Sequence, residues 1–283
     1  MPTFDMPTTT PQASVPLDDR SRQLRREILL TLKKAGRGHL APALSLVEIM
    51  RVLYDHVLRF DPARPDWAER DRSILSKGHG CLALYALLAD KGFFPASELD
   101  CFCKPTAMLG GHPEHCKVPG VEASTGSLGH GLPIGVGRAL AARLNGAPWR
   151  TFVIMGDGEC NEGSVWEAAM AAGKHKLSSL TAIVDYNKQQ SYATTAEVLD
   201  LEPFAAKWET FGFSAIEVDG HDVEALKAVF ARLPLQDERP TAIICHTVKG
   251  RGFKSVERNL AWHHKTKLSD EEYEKLLAEL EGV

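Results

Sequence analysis

The sequence has no long hydrophobic run. No apolar stretch approaches the ~20 residues of a membrane-spanning helix, so we expect no contact with a membrane. The opening stretch, MPTFDMPTTTPQASVP, lacks the apolar segment of a signal peptide, and no arginine precedes Arg20, which argues against a transit peptide. We therefore predict a disordered tail over residues 1–17 and a single domain over residues 18–283.

A strong charge of either sign is also missing. The net charge is −4 at pH 7, which gives no reason to expect binding to nucleic acid. Hydrophobic residues make up 44% of the chain and charged residues 25%, the composition of an ordinary globular protein.

The six cysteines are scattered along the chain. Reduced thiols in the cytoplasm are the simplest interpretation. A zinc site is the alternative, because residues of zinc-ligand type cluster at Cys101, Cys103, His112, His115 and Cys116. The Cys-x-Cys spacing is tighter than that of most zinc sites, so we favour free thiols.

The most informative stretch is the middle of the chain. An apolar run over residues 151–155 predicts a buried strand that ends at Asp157, between two glycines. Helical periodicity follows, and a second apolar run over residues 180–184 leads to Asn187. Ligands of open α/β sheets bind at the carboxyl ends of the strands. A carboxylate and an amide oxygen at this edge suit Mg²⁺ or Ca²⁺ with a bound diphosphate.

Strand-like and helix-like segments alternate along the rest of the chain. This alternation predicts an α/β fold, with a parallel sheet covered by helices on both faces. Ser269 and Glu272 form a capping box for the last helix, and Gly282 ends it. Further strands are predicted at residues 72–76, 213–219 and 241–246, and helices near residues 19–34, 46–57, 81–91, 131–144, 201–211, 223–233 and 270–280.

The motif Gly-Asp-Gly at residues 156–158, followed by Asn187, resembles the thiamin diphosphate signature. The stretch GDGECNEGSVWEA and the later stretch DYN are most similar to the transketolase family. The resemblance implies the thiamin diphosphate-binding fold known as the PP domain. It also implies that the metal is bound by Asp157, by the Asn187 side chain and by the backbone carbonyl of Gln189. Gly158 would contact the diphosphate through its backbone.

The resemblance extends over about residues 18–281 and adds further site residues. By the same resemblance, the stretches GRGH, RDRSILSKGHG, GGHPE and WHH place histidines in the substrate channel, where they would contact substrate hydroxyls and assist proton transfer. These histidines are His39, His79, His112 and His263. The implied cofactor contacts are His79, Thr125, Gly126, Ser127, Leu128, Gly156, Asp157, Gly158, Glu159 and Asn187. His130 and His264 receive no role.

Two carboxylates follow the signature, at Glu162 and Glu167. In transketolases the matching residues lie at the dimer interface and link the two active sites, and the resemblance implies that role here. The alternative is one capping glutamate and one solvent-exposed glutamate, because charged helix residues usually face solvent.

The resemblance covers only the diphosphate-binding half of a full transketolase. The pyrimidine-binding and C-terminal domains have no counterpart in this sequence, and thiamin catalysis needs both ends of the cofactor. The resemblance thus implies the N-terminal subunit of a split transketolase, with a C-terminal partner subunit in an α2β2 assembly. Together they would transfer a two-carbon ketol unit from a ketose phosphate to an aldose acceptor. The residues do not specify the two sugars or the pathway.

Two other functions are alternatives. One is an E1α-type subunit of a 2-oxo acid dehydrogenase, which should lack the set of four histidines. The other is a non-catalytic remnant module, which the intact metal motif disfavours.

Overall fold

The computed structural model describes residues 15–282. Five parallel strands form one sheet in the order β1-β2-β3-β5-β4. Gly156 pairs with Asp185, so the ends of β2 and β3 meet at one edge. The strands are β1 (Arg72–Leu75), β2 (Thr151–Gly156), β3 (Leu180–Tyr186), β4 (Ser214–Asp219) and β5 (Thr241–His246).

Helices connect and cover the strands. The α-helices are α1 (Asp19–Ala35), α2 (Leu40–Leu44), α3 (Val47–Val52), α4 (Cys81–Asp90), α5 (Gly131–Leu144), α6 (Gly163–Lys174), α7 (Thr195–Leu199), α8 (Phe204–Thr210), α9 (Val223–Phe230) and α10 (Asp270–Glu281). A π-helical turn at Leu53–Val57 extends α3. Short 3₁₀ turns lie at Gly78–Gly80, Ala96–Cys101, Gly158–Asn161 and Leu260–Trp262.

The sheet packs against helices on both faces, which confirms the predicted architecture. Successive residues of a strand point to opposite faces. Phe152 and Ile154 accordingly join the apolar core formed with α1 to α4, α9 and α10. Val153 and Met155 join the core formed with α5, α6 and α8. The apolar run of β2 is continuous in sequence because both of its faces are buried.

Local signals set the ends of the first and last helices. The Asp18 carboxylate accepts a 2.8 Å hydrogen bond from the Ser21 backbone N–H and caps α1. The predicted capping box of Ser269 and Glu272 is confirmed at the start of α10. Gly282, with φ of 78°, ends that helix in the left-handed conformation, as predicted.

The structure corrects several details of the predicted elements, and the helix expected over residues 223–233 ends at Phe230. The helix expected over residues 201–211 begins at Phe204, because Pro203 occupies its N-cap position. The helix expected over residues 46–57 is α-helical only to Val52. A 3₁₀ turn separates Asp157 from the start of α6. The short helices α2 and α7 were not predicted, although a Thr-x-x-Glu capping box precedes α7.

The predicted tail falls mostly outside the described residues. Residues 1–14 lie beyond them, and the Val15 carbonyl accepts a 2.7 Å hydrogen bond from the Arg251 guanidinium. Over residues 15–282, no helix combines the length and the apolarity needed to cross a bilayer.

Candidate active site

A cavity of about 300 Å³ opens at the carboxyl edge of the sheet. Four strands contribute to it through the residues that follow them. Lys77 comes after β1, Asp157 after β2, Asn187 after β3 and Lys249 after β5. Parallel strands bring residues distant in sequence to one place, as expected for a ligand site in an open α/β sheet.

Asp157 and Asn187 lie at the floor of this cavity and are 2% and 8% exposed. The Asp157 carboxylate accepts hydrogen bonds from the backbone N–H of Gly158 at 2.7 Å and of Lys188 at 2.5 Å. Asn187 Oδ1 accepts from the Gln189 N–H at 3.1 Å. These bonds fix the oxygens in place and leave lone pairs for a further ligand.

The charge of Asp157 is not neutralised by a direct partner. Burial raises the pKa of its carboxyl to about 7, and repulsion from the nearby Asp185 contributes to that rise. A divalent cation bound to Asp157 would reverse this balance, because it favours the ionised carboxylate. The donor set of carboxylate, amide and carbonyl oxygens suits a hard cation.

Asp185 lies beneath these residues and is completely buried. Its Oδ2 accepts hydrogen bonds from Lys77 Nζ at 2.6 Å, from Ser45 Oγ at 2.7 Å and from Asn187 Nδ2 at 3.4 Å. The contact with Nδ2 turns the amide so that Asn187 Oδ1 faces away from Asp185. Asp185 therefore positions the side chain of Asn187, the predicted metal ligand.

Glu159 holds the neighbouring loops together. Its Oε1 accepts from the Ser76 hydroxyl and, at 2.9 Å, from the Gly129 N–H. Its Oε2 accepts from the Gly156 N–H at 3.1 Å. The Glu159 carboxylate thus ties the loop before α5 to the ends of β1 and β2.

Lys249 brings a cation to the other side of the cavity. Its Nζ donates to the backbone carbonyls of Gln190 at 2.9 Å and Gln189 at 3.2 Å. Burial lowers the pKa of the Lys249 ammonium to about 8, and the positive charge of Lys77 contributes to that lowering. A buried ammonium beside an open cavity is suited to an anionic ligand such as a diphosphate.

A buried network fixes the segment that carries Lys249. His221 Nε2 accepts from the Val248 N–H at 2.8 Å, so the proton of this ring lies on Nδ1, 2.8 Å from Glu48 Oε2. Glu48 also binds the Arg25 guanidinium through both of its oxygens, at 2.6 and 2.9 Å. This network connects α1, α3 and the loop after β4 to the loop after β5.

Three of the four predicted histidines meet in the cavity. The ring centroids of His39, His79 and His263 are 6.0 Å apart in each pair. Burial lowers the pKa of His79 well below its ordinary value and that of His263 to about 3, with nearby cationic groups adding to both effects. Both pKa shifts favour the neutral form of these imidazoles at pH 7.

His112 lies outside the residues that line the cavity. A Cβ placed on Gly126 would lie 3.1 Å from His112 Cδ2, so the ring packs directly against a cavity-lining glycine. Partial burial lowers the pKa of His112, and His39 contributes. The ring is therefore at the rim of the site.

The remaining predicted residues divide into two groups. Those that line the cavity are Gly126, Leu128, Gly156, Gly158, Glu159 and Gln189. Those that do not are Thr125, whose hydroxyl donates to the Leu75 carbonyl at 2.7 Å, and the exposed Ser127, Glu162 and Glu167. Within residues 15–282, the candidate zinc ligands Cys101, Cys103, His112, His115 and Cys116 do not come together as a metal-binding group.

Residues 21–281 match a family model described as the transketolase, thiamine diphosphate binding domain. The chain belongs to the transketolase family. It is 39% identical over 270 residues to the 6-deoxy-6-sulfo-D-fructose transketolase subunit of Clostridium sp. (strain MSTE9), with 95% of this chain and 98% of that protein covered. It is 39% identical over 264 residues to an apulose-4-phosphate transketolase subunit of Phocaeicola vulgatus, with 93% of each protein covered.

Solved transketolase structures share the fold. The transketolase of Campylobacter jejuni superposes with a TM-score of 0.86 at 29% identity, over 93% of this chain and 42% of that one. The comparisons confirm the predicted α/β fold, the family and the transketolase-type transferase function, and the names of the two relatives above describe each of them as a transketolase subunit. The two alternative functions are not favoured.

Sequence reasoning missed several residues that line the cavity of this transketolase site, among them the ionisable side chains of Lys77, Lys249 and His264. A signal for the two lysines was present, because each precedes a glycine in a stretch that resembles the family. No local sequence pattern indicates that His264, which directly follows His263, has a role of its own. Only the turn at the end of Leu260–Trp262 brings both rings to the cavity, with centroids 4.5 Å apart.

Proposed function

We propose that this chain, together with a C-terminal transketolase subunit, transfers a two-carbon ketol unit from a ketose phosphate to an aldose acceptor. The observation that supports the proposal is the meeting of metal-type oxygens, a buried lysine and neutral imidazoles in one cavity. The arrangement of these groups suits the reaction, because the residues that can bind a metal-bound diphosphate lie beside imidazoles that can transfer protons.

The cavity residues fit thiamin diphosphate with Mg²⁺. Asp157, Asn187 Oδ1 and the Gln189 carbonyl would hold the metal, which matches the preference of Mg²⁺ for oxygen ligands. The Lys249 ammonium would bind the diphosphate. Gly158 would allow the cofactor to approach the backbone. Ca²⁺ takes the same ligands in a looser geometry and is the alternative ion.

The imidazoles act on the substrate. His39, His79 and His263 would donate hydrogen bonds to sugar hydroxyls or accept protons from them, with His112 contributing from the rim. Neutral rings can do either, because one nitrogen donates while the other accepts. Thiamin diphosphate supplies the carbanion-stabilising chemistry when bound.

The partner subunit would supply the pyrimidine-binding and C-terminal domains in an α2β2 assembly. Support comes from the names of the relatives, which identify them as transketolase subunits. The exposed Glu167 lies on α6 together with Met170, whose side chain is 50% exposed, so this helix offers a mixed apolar and acidic surface to a partner. We propose that Glu162 and Glu167 link neighbouring active sites there.

The cysteines support a reducing compartment. All six are free, and three of them are buried. Free thiols persist in the cytoplasm, where we propose that the enzyme acts.

Co-expression with a C-terminal transketolase-like chain tests the proposal. We expect ketol transfer with Mg²⁺ and thiamin diphosphate only when both chains are present. Asp157→Ala should abolish it without preventing co-purification. Turnover of a 2-oxo acid with an artificial electron acceptor would instead favour the dehydrogenase function. Full activity of this chain alone would overturn the two-chain proposal.

A further inference from the structure

A second cluster of metal-binding side chains lies in the same cavity, apart from Asp157 and Asn187. One ring nitrogen from each of His39, His263 and His264 lies within 4.8 Å of one from each of the others. Within residues 15–282, these three histidines are the one group of three or more histidine, cysteine, aspartate or glutamate side chains whose ligand atoms lie this close together. Imidazoles are ligands for Zn²⁺, Cu²⁺ and Ni²⁺ rather than for Mg²⁺.

The hydrogen bonds of these rings leave suitable nitrogens free. His39 Nδ1 lies 3.1 Å from the His263 carbonyl oxygen, which can only accept, so the proton is on Nδ1 and Nε2 carries a lone pair. This is the arrangement of a metal-binding histidine whose other nitrogen is fixed by a backbone carbonyl. His263 Nδ1 is buried and has no hydrogen-bond partner within residues 15–282.

The geometry is within reach of a zinc site. Zn–N bonds of 2.0–2.1 Å place ligand nitrogens about 3.3 Å apart in a tetrahedron. His264 is exposed, so rotation of its side chain can close the remaining distance without disturbing the core. The positive charges of Lys77 and Lys249 oppose a cation in this cavity, and the carboxylates of Asp157 and Asp185 offset them.

We propose that His39, His263 and His264 form a binding site for a borderline transition-metal ion, with Zn²⁺ as the ion of choice. Three imidazoles leave a fourth position open, which a water can occupy. The ion binds to the imidazoles of His39 and His263 and so takes the position of the sugar hydroxyls that these imidazoles are proposed to contact. Zn²⁺ therefore blocks ketol transfer in competition with the sugar, a consequence that rests on the proposed function.

Titration of the purified full chain with Co²⁺ in excess Mg²⁺ tests the site directly. We expect one Co²⁺ per chain with visible absorption bands of a four-coordinate nitrogen site, and displacement by Zn²⁺. His264→Gln should weaken Zn²⁺ binding by more than about tenfold, because loss even of an outer partner of a metal ligand costs 10–100-fold. His175→Gln, a change of an exposed histidine on another surface, is the matched control and should leave the affinity unchanged.

Other outcomes overturn the site. Equal Zn²⁺ affinity in His264→Gln and the unaltered chain would do so, as would a strong near-ultraviolet thiolate band, which would assign the ion to cysteines. His39→Gln removes a second proposed ligand, so the test still stands if His264→Gln misfolds. The melting temperature of each variant is measured alongside to detect misfolding. Zinc binding does not require ketol transfer, so failure of the site and failure of the proposed function are distinguishable.

Discussion

Lys77 Nζ lies 2.6 Å from Asp185 Oδ2, and both side chains are buried at the carboxyl edge of the sheet. The pair joins the loop after β1 to the end of β3. Through the contact of Asp185 with the Asn187 amide, it also positions a predicted metal ligand. Buried ion pairs contribute little net stability over apolar residues, but breaking one partner leaves an uncompensated charge.

The first prediction follows from this pair. Asp185→Asn should lower the free energy of unfolding by about 3–5 kcal/mol, measured by urea denaturation, because the Lys77 ammonium stays buried without its partner. The double variant Lys77→Met with Asp185→Leu should recover much of the loss. Glu224→Gln removes the charge of a side chain that is 80% exposed and paired with Lys227, and should change little. Full stability of Asp185→Asn would contradict the assigned role.

The second prediction concerns the pH dependence of the metal-free protein. Asp157 titrates near 3.8 in the unfolded chain and near 7 in the folded one. Between these values the folded state holds a proton that the unfolded state releases, so stability from this group is present at low pH and lost as pH rises towards 7. Relative to Asp157→Asn, the free energy of unfolding should fall by roughly 4 kcal/mol between pH 4 and pH 7.5. A difference that does not vary with pH would refute the assignment.

The third prediction concerns Lys249 and the diphosphate. Its pKa of about 8 means that the ammonium is charged at pH 7 and loses its proton as pH rises through 8. Affinity for thiamin diphosphate in the presence of Mg²⁺ should therefore decline above pH 8, as followed by quenching of tryptophan fluorescence. Lys249→Arg keeps its charge in this range and should show a flatter profile. Lys249→Met should bind weakly at every pH, and unaltered binding by that variant would exclude the contact.

The fourth prediction tests the packing of α5 on β2 with two glycines of the same helix. A Cβ on Gly135 would lie 2.4 Å from Val153 Cγ2, whereas one on Gly137 would meet nothing within 4 Å. Gly135→Ala should lower the free energy of unfolding by about 1–3 kcal/mol through overpacking. Gly137→Ala should raise it by about 0.5–1 kcal/mol, because alanine favours the helix. Thermal denaturation of both variants checks the pair, and equal effects would mean that α5 does not rest on Val153.

The sequence by itself determined the fold class and the floor of the site. The apolar runs that become β2 and β3 are buried on both faces. Asp157 directly follows the end of β2, and Asn187 directly follows the end of β3. Parallel strands must bring such residues to one edge, so periodicity alone was sufficient. The capping box of α10 was likewise readable because its hydrogen bonds are local.

Only the tertiary structure decided the residues whose roles depend on distant partners. Lys77 and Asp185 are 108 positions apart, and Glu48 and His221 are 173 apart. No local pattern reports such pairs, because a buried charge is defined by what surrounds it. The approach of His264 to His39 arises in the same way, from a turn near the end of the chain that folds back over the first loop. The chain supplies the chemical groups, and long-range packing decides which of them meet.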